Sequence, residues 1–473
     1  MRALTRVEAA LAPQLKAYVD RNPKSAAAFE QAKQSGIAGG TNRASIFYTP
    51  FPLTFADGKG AKAITLDGQE VTDFLGNFTA GLFGYSPEPV IKAVTDAMAH
   101  GHALGGGANL FETEAARMMT ERFPSLDLVR FSNTGTEANT YAINTARAVT
   151  GKSKILIYDG AYHGAWIHGG ASAGPLDTPY EKITIPFGNA HEIGKAIHQH
   201  RDDLAAVLIE PVMVNPVLYL KQLAPAPYLQ AIRAACDEAG CALIFDEVMT
   251  SRLAPGGGQE IVGVTPDLMT FGKYFGGGLP LGGFGGREAW MARHDPLHPK
   301  SINSGGTFNQ NPISLAAMCA VLDSLWSPEQ CSAHNARGDA FRDAINQLAA
   351  QHHAPCQAMG TGSLITLIWQ SAPVLPQSDD PLVCPLELKN HPASAKFAEL
   401  FWFDLLLNHG LLAGRPKLNY LTLPTPLTTN DEARFLSAMS DFFAKYTIEL
   451  QSLADETEGG GHWASDERSP SGG

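Results

Sequence analysis

Apolar positions recur at near-helical spacing at the start of the chain. Val7, Leu11, Leu15 and Tyr18 fall on one face and predict an amphipathic helix. Phe29 to Ala32 reads as a further short helical piece, and Gly39 to Arg43 breaks the pattern as a loop. Around Asp67-Gly68 the pattern alternates, so Ala63 to Phe74 predicts a β-hairpin. Phe78 to Ser86 mixes small and aromatic residues and reads as loop. Helical spacing returns over Pro89–His100 and Leu110–Arg122, joined through Gly101 to Gly107. From Leu128 to about Gly286 short apolar runs alternate with helical stretches. The runs are Val129–Phe131, Lys154–Tyr158, Leu204–Glu210, Ala242–Asp246 and Leu268–Phe271; the helices are Thr136–Val149 and Tyr228–Ala239. That alternation predicts an α/β unit with a mostly parallel sheet covered on both faces. Ligands of such sheets bind beyond the carboxyl ends of the strands. Asp159, Glu210, Asp246 and Lys273 all stand where a run ends.

The rest of the chain predicts a smaller α+β unit. Helices are expected over Ile313–Leu325, Asn335–Ala350, Ala393–Asn408 and Asp431–Tyr446, with strand character over Gly360–Trp369 and Tyr420–Leu423. Turn chemistry fills Pro373 to Pro385. After Glu456 the composition shifts to Gly, Ser, Asp and Glu, the mark of a disordered tail. No internal repeat is visible.

Composition narrows the function. Of 473 residues, 44% are hydrophobic and 17% charged, enough apolar content for a sizeable core. The net charge of −12 disfavours nucleic acid as a partner. Six cysteines without a CxxC pair suggest free thiols rather than a disulfide framework or a metal site. No apolar run approaches the roughly 18 residues of a membrane span. Met1 to Asn22 lacks the apolar core of a signal peptide, so a cytoplasmic protein is expected.

The chemistry gathers at Lys273, at the end of an apolar run and just before Gly276 to Gly286. A poorly solvated lysine has a lowered pKa, which suits imine formation, and the glycines are expected to let backbone approach a flat ligand. Pro280 interrupts the glycine run where a helix should open, which does not fit a dinucleotide-binding loop. Ser132 to Asn139 crosses from strand to helix. Gly135 and Thr136 there read either as an anion site or as part of an ordinary helix cap. Tyr162 or His163 reads as a stacking residue or as a packed aromatic in a glycine-rich turn. Asp246 ends an apolar strand, where a carboxylate needs a partner; a protonated pyridine nitrogen suits it, and a helix cap is the plainer reading. Val248 could press on such a ring. Gly305 to Pro312 reads as a phosphate contact or a turn.

In this order, Ser132-Asn-Thr-Gly-Thr-Glu-Ala-Asn139, Ala161-Tyr-His-Gly164, Ile244-Phe-Asp-Glu-Val248 and Thr270-Phe-Gly-Lys273 resemble the class III aminotransferases. These are pyridoxal 5′-phosphate enzymes of fold type I. The branch resembled holds β-phenylalanine-type aminotransferases and glutamate-1-semialdehyde aminomutases, and the likeness runs from about Ala38 to about Ser437. The resemblance implies that residues 1–80 contribute to the small domain, 81–330 form the large cofactor-binding domain, 331–456 form the small domain and 457–473 are tail. It implies that Lys273 holds the cofactor as a Schiff base and shuttles a proton, and that Asp246 pairs with the ring nitrogen. Gly135 and Thr136 would bind the phosphate and Tyr162 would stack on the ring. Glu210 would lie near the cofactor. Thr307 would reach the phosphate of a neighbouring subunit, making the active unit a homodimer.

For the substrate, Gly39 to Pro52 resembles the β-phenylalanine-type enzymes. Arg43 would take a carboxylate in a bidentate pair, or is a surface loop arginine. Phe78 and Ala80 lie where that branch builds an apolar pocket. Arg415, with Lys417 as rival, would bind a keto-acid co-substrate. Pro211 to Pro216 departs from the family's small, glycine-containing segment. The expected activity is transfer of an amino group from a β-amino acid to a 2-keto acid. An aminomutase on glutamate 1-semialdehyde, other chemistry of the same cofactor such as racemisation, and a non-catalytic scaffold are the alternatives.

Overall fold

A computed structural model describes residues 2–101, 103, 106–168, 177–213, 222–223, 225–374, 377–386, 391–417 and 419–458. Seven strands form its central sheet, in the order Leu128–Ser132, Gly282–Gly286, Leu268–Gly272, Ala242–Asp246, Leu204–Ile209, Lys154–Tyr158 and Lys182–Ile185. Gly282–Gly286 runs antiparallel to both neighbours, and the other pairs are parallel. Successive residues of a strand point to opposite faces, and both faces are buried here. Leu156, Val207, Leu243 and Phe245 pack towards the helices Ala190–Gln199 and Ala226–Ala239. Ile155, Ile157, Leu208 and Ile244 pack towards the helix Gly135–Thr150. The sequence pattern anticipated five of the seven strands. Lys182–Ile185 and the helix after it escaped because the strand alternates only partly buried positions at the sheet's edge.

Gly282–Gly286 corrects one expectation. These glycines line neither the cavity around Lys273 nor the apolar one beside it; the sheet itself uses them. A Cβ on Gly282 would lie 2.2 Å from the Thr134 carbonyl oxygen, and one on Gly286 would lie 2.1 Å from that of Asp267. The strand is squeezed between two others; only Phe284, which packs on Tyr141, carries a side chain, and the four positions around it have no room for one.

A second core joins the two ends of the chain. The helix Arg2–Arg21 buries Val7, Leu11 and Tyr18 against Trp402, Phe403, Phe442 and Leu453. The expected hairpin forms from Lys62–Thr65 and Glu70–Asp73, and Leu411–Leu412 adds to it in parallel, Leu411 opposite Thr72. The helix Pro392–Asp404 continues through a wider turn, Leu405–His409, as Pro312–Ala320 does through Val321–Leu325. The described residues end in the helix Thr447–Glu458, in which Thr457 is 1% exposed and its hydroxyl donates to the Leu453 carbonyl. The expected tail boundary at 457 therefore falls inside a helix. Residues 459–473, and 214–216 of the departing segment, lie outside the described residues. Among the described residues no helix is long and apolar enough to cross a membrane.

Candidate active site

The strand ends carry a cavity of about 260 Å³. Gly135, Thr136, Tyr162, Glu210, Asp246, Val248 and Lys273 line it, with Arg43 and Phe78 from the N-terminal part of the chain. Asn139, His163 and Tyr420 complete much of the wall.

Lys273 follows the buried strand Leu268–Gly272 directly and adopts φ +55°, a conformation that side-chain-bearing residues rarely take. Such strain is held only where the surroundings fix it. Burial lowers the Lys273 pKa to about 8; the carboxylates of Asp246 and Glu210 oppose that shift and the Arg43 charge adds to it. The result is a lysine that releases its proton near neutrality, ready to act as a nucleophile or a base.

Asp246 closes the strand Ala242–Asp246 and is buried. Burial alone would raise its pKa. The His163 hydrogen bond and charge, the Val248 N–H and the Asn139 amide outweigh this and hold it below the usual carboxylate range. His163 Nδ1 and Asn139 Nδ2 donate to its Oδ2 at 2.9 and 2.8 Å, and the Val248 N–H donates to Oδ1 at 3.1 Å. Asn139 is itself fixed, since the Thr270 hydroxyl donates to its Oδ1 at 2.7 Å and its Nδ2 also reaches the His163 carbonyl at 2.9 Å. A carboxylate so held presents a fixed negative charge to the cavity.

The sequence reading missed this network. His163 appeared there only as a stacking candidate. Asn139 carried a usable signal: it is a polar residue between Ala138 and Ala142, facing the sheet one turn after Gly135. Thr270, a lone hydroxyl in an apolar run, carried a weaker one.

Gly135 and Thr136 begin a sixteen-residue helix capped by Thr134, whose hydroxyl accepts from the Glu137 N–H at 3.1 Å. Neither the Gly135 nor the Thr136 N–H has a partner among the described residues. The helix end is therefore open to an anion. A Cβ on Gly135 would lie 2.8 Å from a Val248 methyl, so glycine there lets Val248 form the cavity wall. Tyr162 is 48% exposed and stacks on the His168 ring at 5.2 Å between centroids.

Arg43 is exposed at the cavity's edge. Its Nη1 donates to Asn77 Oδ1 at 2.9 Å, and its guanidinium carbon lies 5.1 Å from the Phe78 ring centroid. Among the described residues it has no ion pair. Ser45 and Phe78 also line an adjoining, mostly apolar cavity of about 380 Å³, with Ile46, Leu53, Leu75, Trp402 and Leu412 in its wall and Arg415 at its margin. Arg415 and Lys417 share a further cavity of about 280 Å³ with Glu399.

Three expected positions lie outside the cavity around Lys273, and Thr307 was expected at a neighbouring subunit's site. Ala80 lines neither cavity, because the chain turns left-handed just before it and presents Phe78 instead. Arg415 lines the apolar cavity rather than the one around Lys273. Asp159 is exposed beyond its strand. Thr307 is exposed and outside the cavity of its own chain; its neighbours Gly305, Gly306 and Asn309 border a hollow of about 510 Å³ by the edge strand Leu128–Ser132.

The family model described as Aminotransferase class-III matches residues 45–433. The chain belongs to the class III aminotransferases. A relative named beta-phenylalanine transaminase, from Variovorax paradoxus, is 37% identical over 92% of this chain and 96% of its own. A solved beta-phenylalanine aminotransferase from that organism superposes with a TM-score of 0.86 at 35% identity, covering 93% of this chain and 98% of the other. A glutamate-1-semialdehyde 2,1-aminomutase from Methanocaldococcus jannaschii is 33% identical over 89% of this chain and 98% of its own. The protein is thus an aminotransferase of fold type I, and enzymes of this class use pyridoxal 5′-phosphate.

Proposed function

We propose that this aminotransferase takes the amino group of a β-amino acid with an aromatic or apolar side chain and passes it to a 2-keto acid. The observation that carries the reading is Arg43, a guanidinium without an ion pair among the described residues, which lines Lys273's cavity and stacks on Phe78, a residue that lines the apolar cavity as well. A substrate with its carboxylate on Arg43 and its side chain in the apolar cavity brings the intervening carbon towards Lys273. The 37% identity to a β-phenylalanine transaminase supports the same reading. The aminomutase alternative needs a polar pocket, and the wall of Ile46, Leu53, Leu75 and Trp402 is not one.

The residues present fit pyridoxal phosphate. The free N–H groups of Gly135 and Thr136 would take its phosphate. Val248 and Tyr162 would bracket the ring, and the ionised Asp246 would keep the ring nitrogen protonated. Lys273 would hold the aldehyde carbon, with Glu210 beside it. When bound, the cofactor supplies an electron sink conjugated to the substrate's amine-bearing carbon. The chain's own part is to orient that carbon and to move its proton. Lys273 Nζ, with its lowered pKa, takes the proton and returns it. Arg43 and the apolar wall fix the substrate's two other arms. Arg415, which lines the apolar cavity, would receive the carboxylate of the keto acid.

Thr307 enters only through a second copy of the chain. Its segment is exposed, as are Phe308 at 66% and Leu110 at 87%, apolar surface that an isolated chain leaves in water. The active unit in this reading is a homodimer with Thr307 reaching its neighbour's phosphate. Sedimentation of the holoenzyme is expected to give a dimer, and a fully active monomer would remove Thr307 from the site.

Arg43→Ala is expected to raise KM for a β-aryl β-amino acid about tenfold or more, the cost of deleting an exposed carboxylate partner, with little change in kcat. A panel of α-, β- and ω-amines with pyruvate and 2-oxoglutarate as acceptors tests the substrate class. Preference for an α-amino acid, or isomerisation of glutamate 1-semialdehyde, would overturn it.

A further inference from the structure

We propose that Asn77 is the positioning residue for Arg43, and that it acts through a neutral oxygen so that the guanidinium is aimed without being neutralised. The proposal rests on the reading of Arg43 as the substrate-carboxylate site.

A flexible, exposed arginine usually takes many conformations. Here two contacts restrict it. Nη1 donates to Asn77 Oδ1 at 2.9 Å, and the guanidinium stacks over Phe78 at 5.1 Å. Both partners are uncharged. The chain therefore orients the group and leaves its charge, and most of its five donors, for an incoming carboxylate. An aspartate at the same place would hold Arg43 more tightly and occupy it.

The backbone has been bent to make these contacts. Gly76, Asn77, Phe78 and Thr79 lie in succession at φ +54°, +44°, +57° and +78°. L residues enter this region at a cost, asparagine more readily than most, and a run of them is rare. The run is anchored on a buried carboxylate. Asp73 accepts from the Leu75 N–H at 2.7 Å, the Gly76 N–H at 3.1 Å and the Tyr85 hydroxyl at 2.8 Å. The Gly81 N–H closes the turn on the Gly76 carbonyl at 2.8 Å. A right-handed turn would send Asn77 and Phe78 elsewhere. Strain held by such an anchor, with its two middle side chains on one arginine, points to a function for the aim.

The test uses the holoenzyme and the variants Asn77→Gly, Asn77→Asp and Arg43→Ala. Glycine and aspartate both tolerate the left-handed backbone, so the turn is kept, and a thermal melt checks it. Readouts are KM and kcat for 3-amino-3-phenylpropanoate and Ki for 3-phenylpropanoate, which offers the carboxylate without the amine. Asn77→Gly is expected to raise KM and Ki about fivefold with kcat within about twofold. Asn77→Asp is expected to raise them further, about tenfold or more, by placing a competing carboxylate on Arg43, and to add nothing once Arg43 is alanine. If Arg43→Ala raises KM and Ki while both Asn77 variants leave them at the wild-type level, the proposal fails and the reading of Arg43 survives. If Arg43→Ala changes neither, that reading falls and takes the proposal with it. Asn77→Asp no worse than Asn77→Gly would overturn the role of neutrality. A fall in kcat at unchanged KM would mark Asn77 as merely structural and overturn the proposal.

Discussion

Lys273→Ala is expected to abolish transamination, lowering kcat by about 10⁴-fold, the upper range for loss of a positioned acid–base group, while the protein still folds. Lys273 contributes little to packing: it is only partly buried and lines a cavity. Its removal also takes away an amine that burial has pushed down to about 8. The melting temperature should therefore hold or rise. The same lowered value gives a pH signature in cofactor-stripped wild type. Uptake of pyridoxal phosphate needs the free amine, so its rate should climb as pH rises through about 8 and level off above. Turnover by the alanine variant near the wild-type rate would refute the role given to Lys273.

Asp246→Asn is expected to lower kcat by about 10²- to 10³-fold, as losses of a fixed charge in a low-dielectric site do. The side chain keeps its size and the Val248 N–H can still donate to it, so the fold should survive. What disappears is the negative charge that His163, Asn139 and Val248 hold in place. The carboxylate's pKa is depressed in the fold, so its stabilising contribution is complete above the ordinary aspartate range and is lost only as pH falls through the folded value. The acid limb of the wild-type rate profile therefore belongs to another group. An Asp246→Asn enzyme with an unchanged kcat and cofactor affinity would remove the ring-nitrogen role.

The sequence carried five strands of the central sheet and most of the residues that line the Lys273 cavity because both are written locally. Strand ends at Asp246 and Lys273, and the helix start at Gly135, follow from apolar runs that stop at a polar residue. The glycine run after Lys273 was legible as close approach but not as close approach to what. Gly282–Gly286 meets Leu128–Ser132, a strand far away along the chain, and no local pattern names it. Asn139 and Thr270 were missed for the same reason, since each matters only through a contact between helix and sheet. Ala80 lines neither cavity because one left-handed turn, invisible to hydropathy, presents Phe78 there instead. Arg43 was readable as a chemical type, but its restraint by Asn77 was not.

The pairing of Glu70–Asp73 with Leu411–Leu412, and the burial of Val7 and Tyr18 against Trp402 and Phe442, has a consequence for synthesis. A nascent chain emerges from the ribosome with its first helices made and their greasy stripe uncovered. The surfaces that cover that stripe are translated much later. Until then the large sheet can form while these first helices wait, so their exposure to chaperones and proteases lasts until Trp402 and Phe442 have emerged.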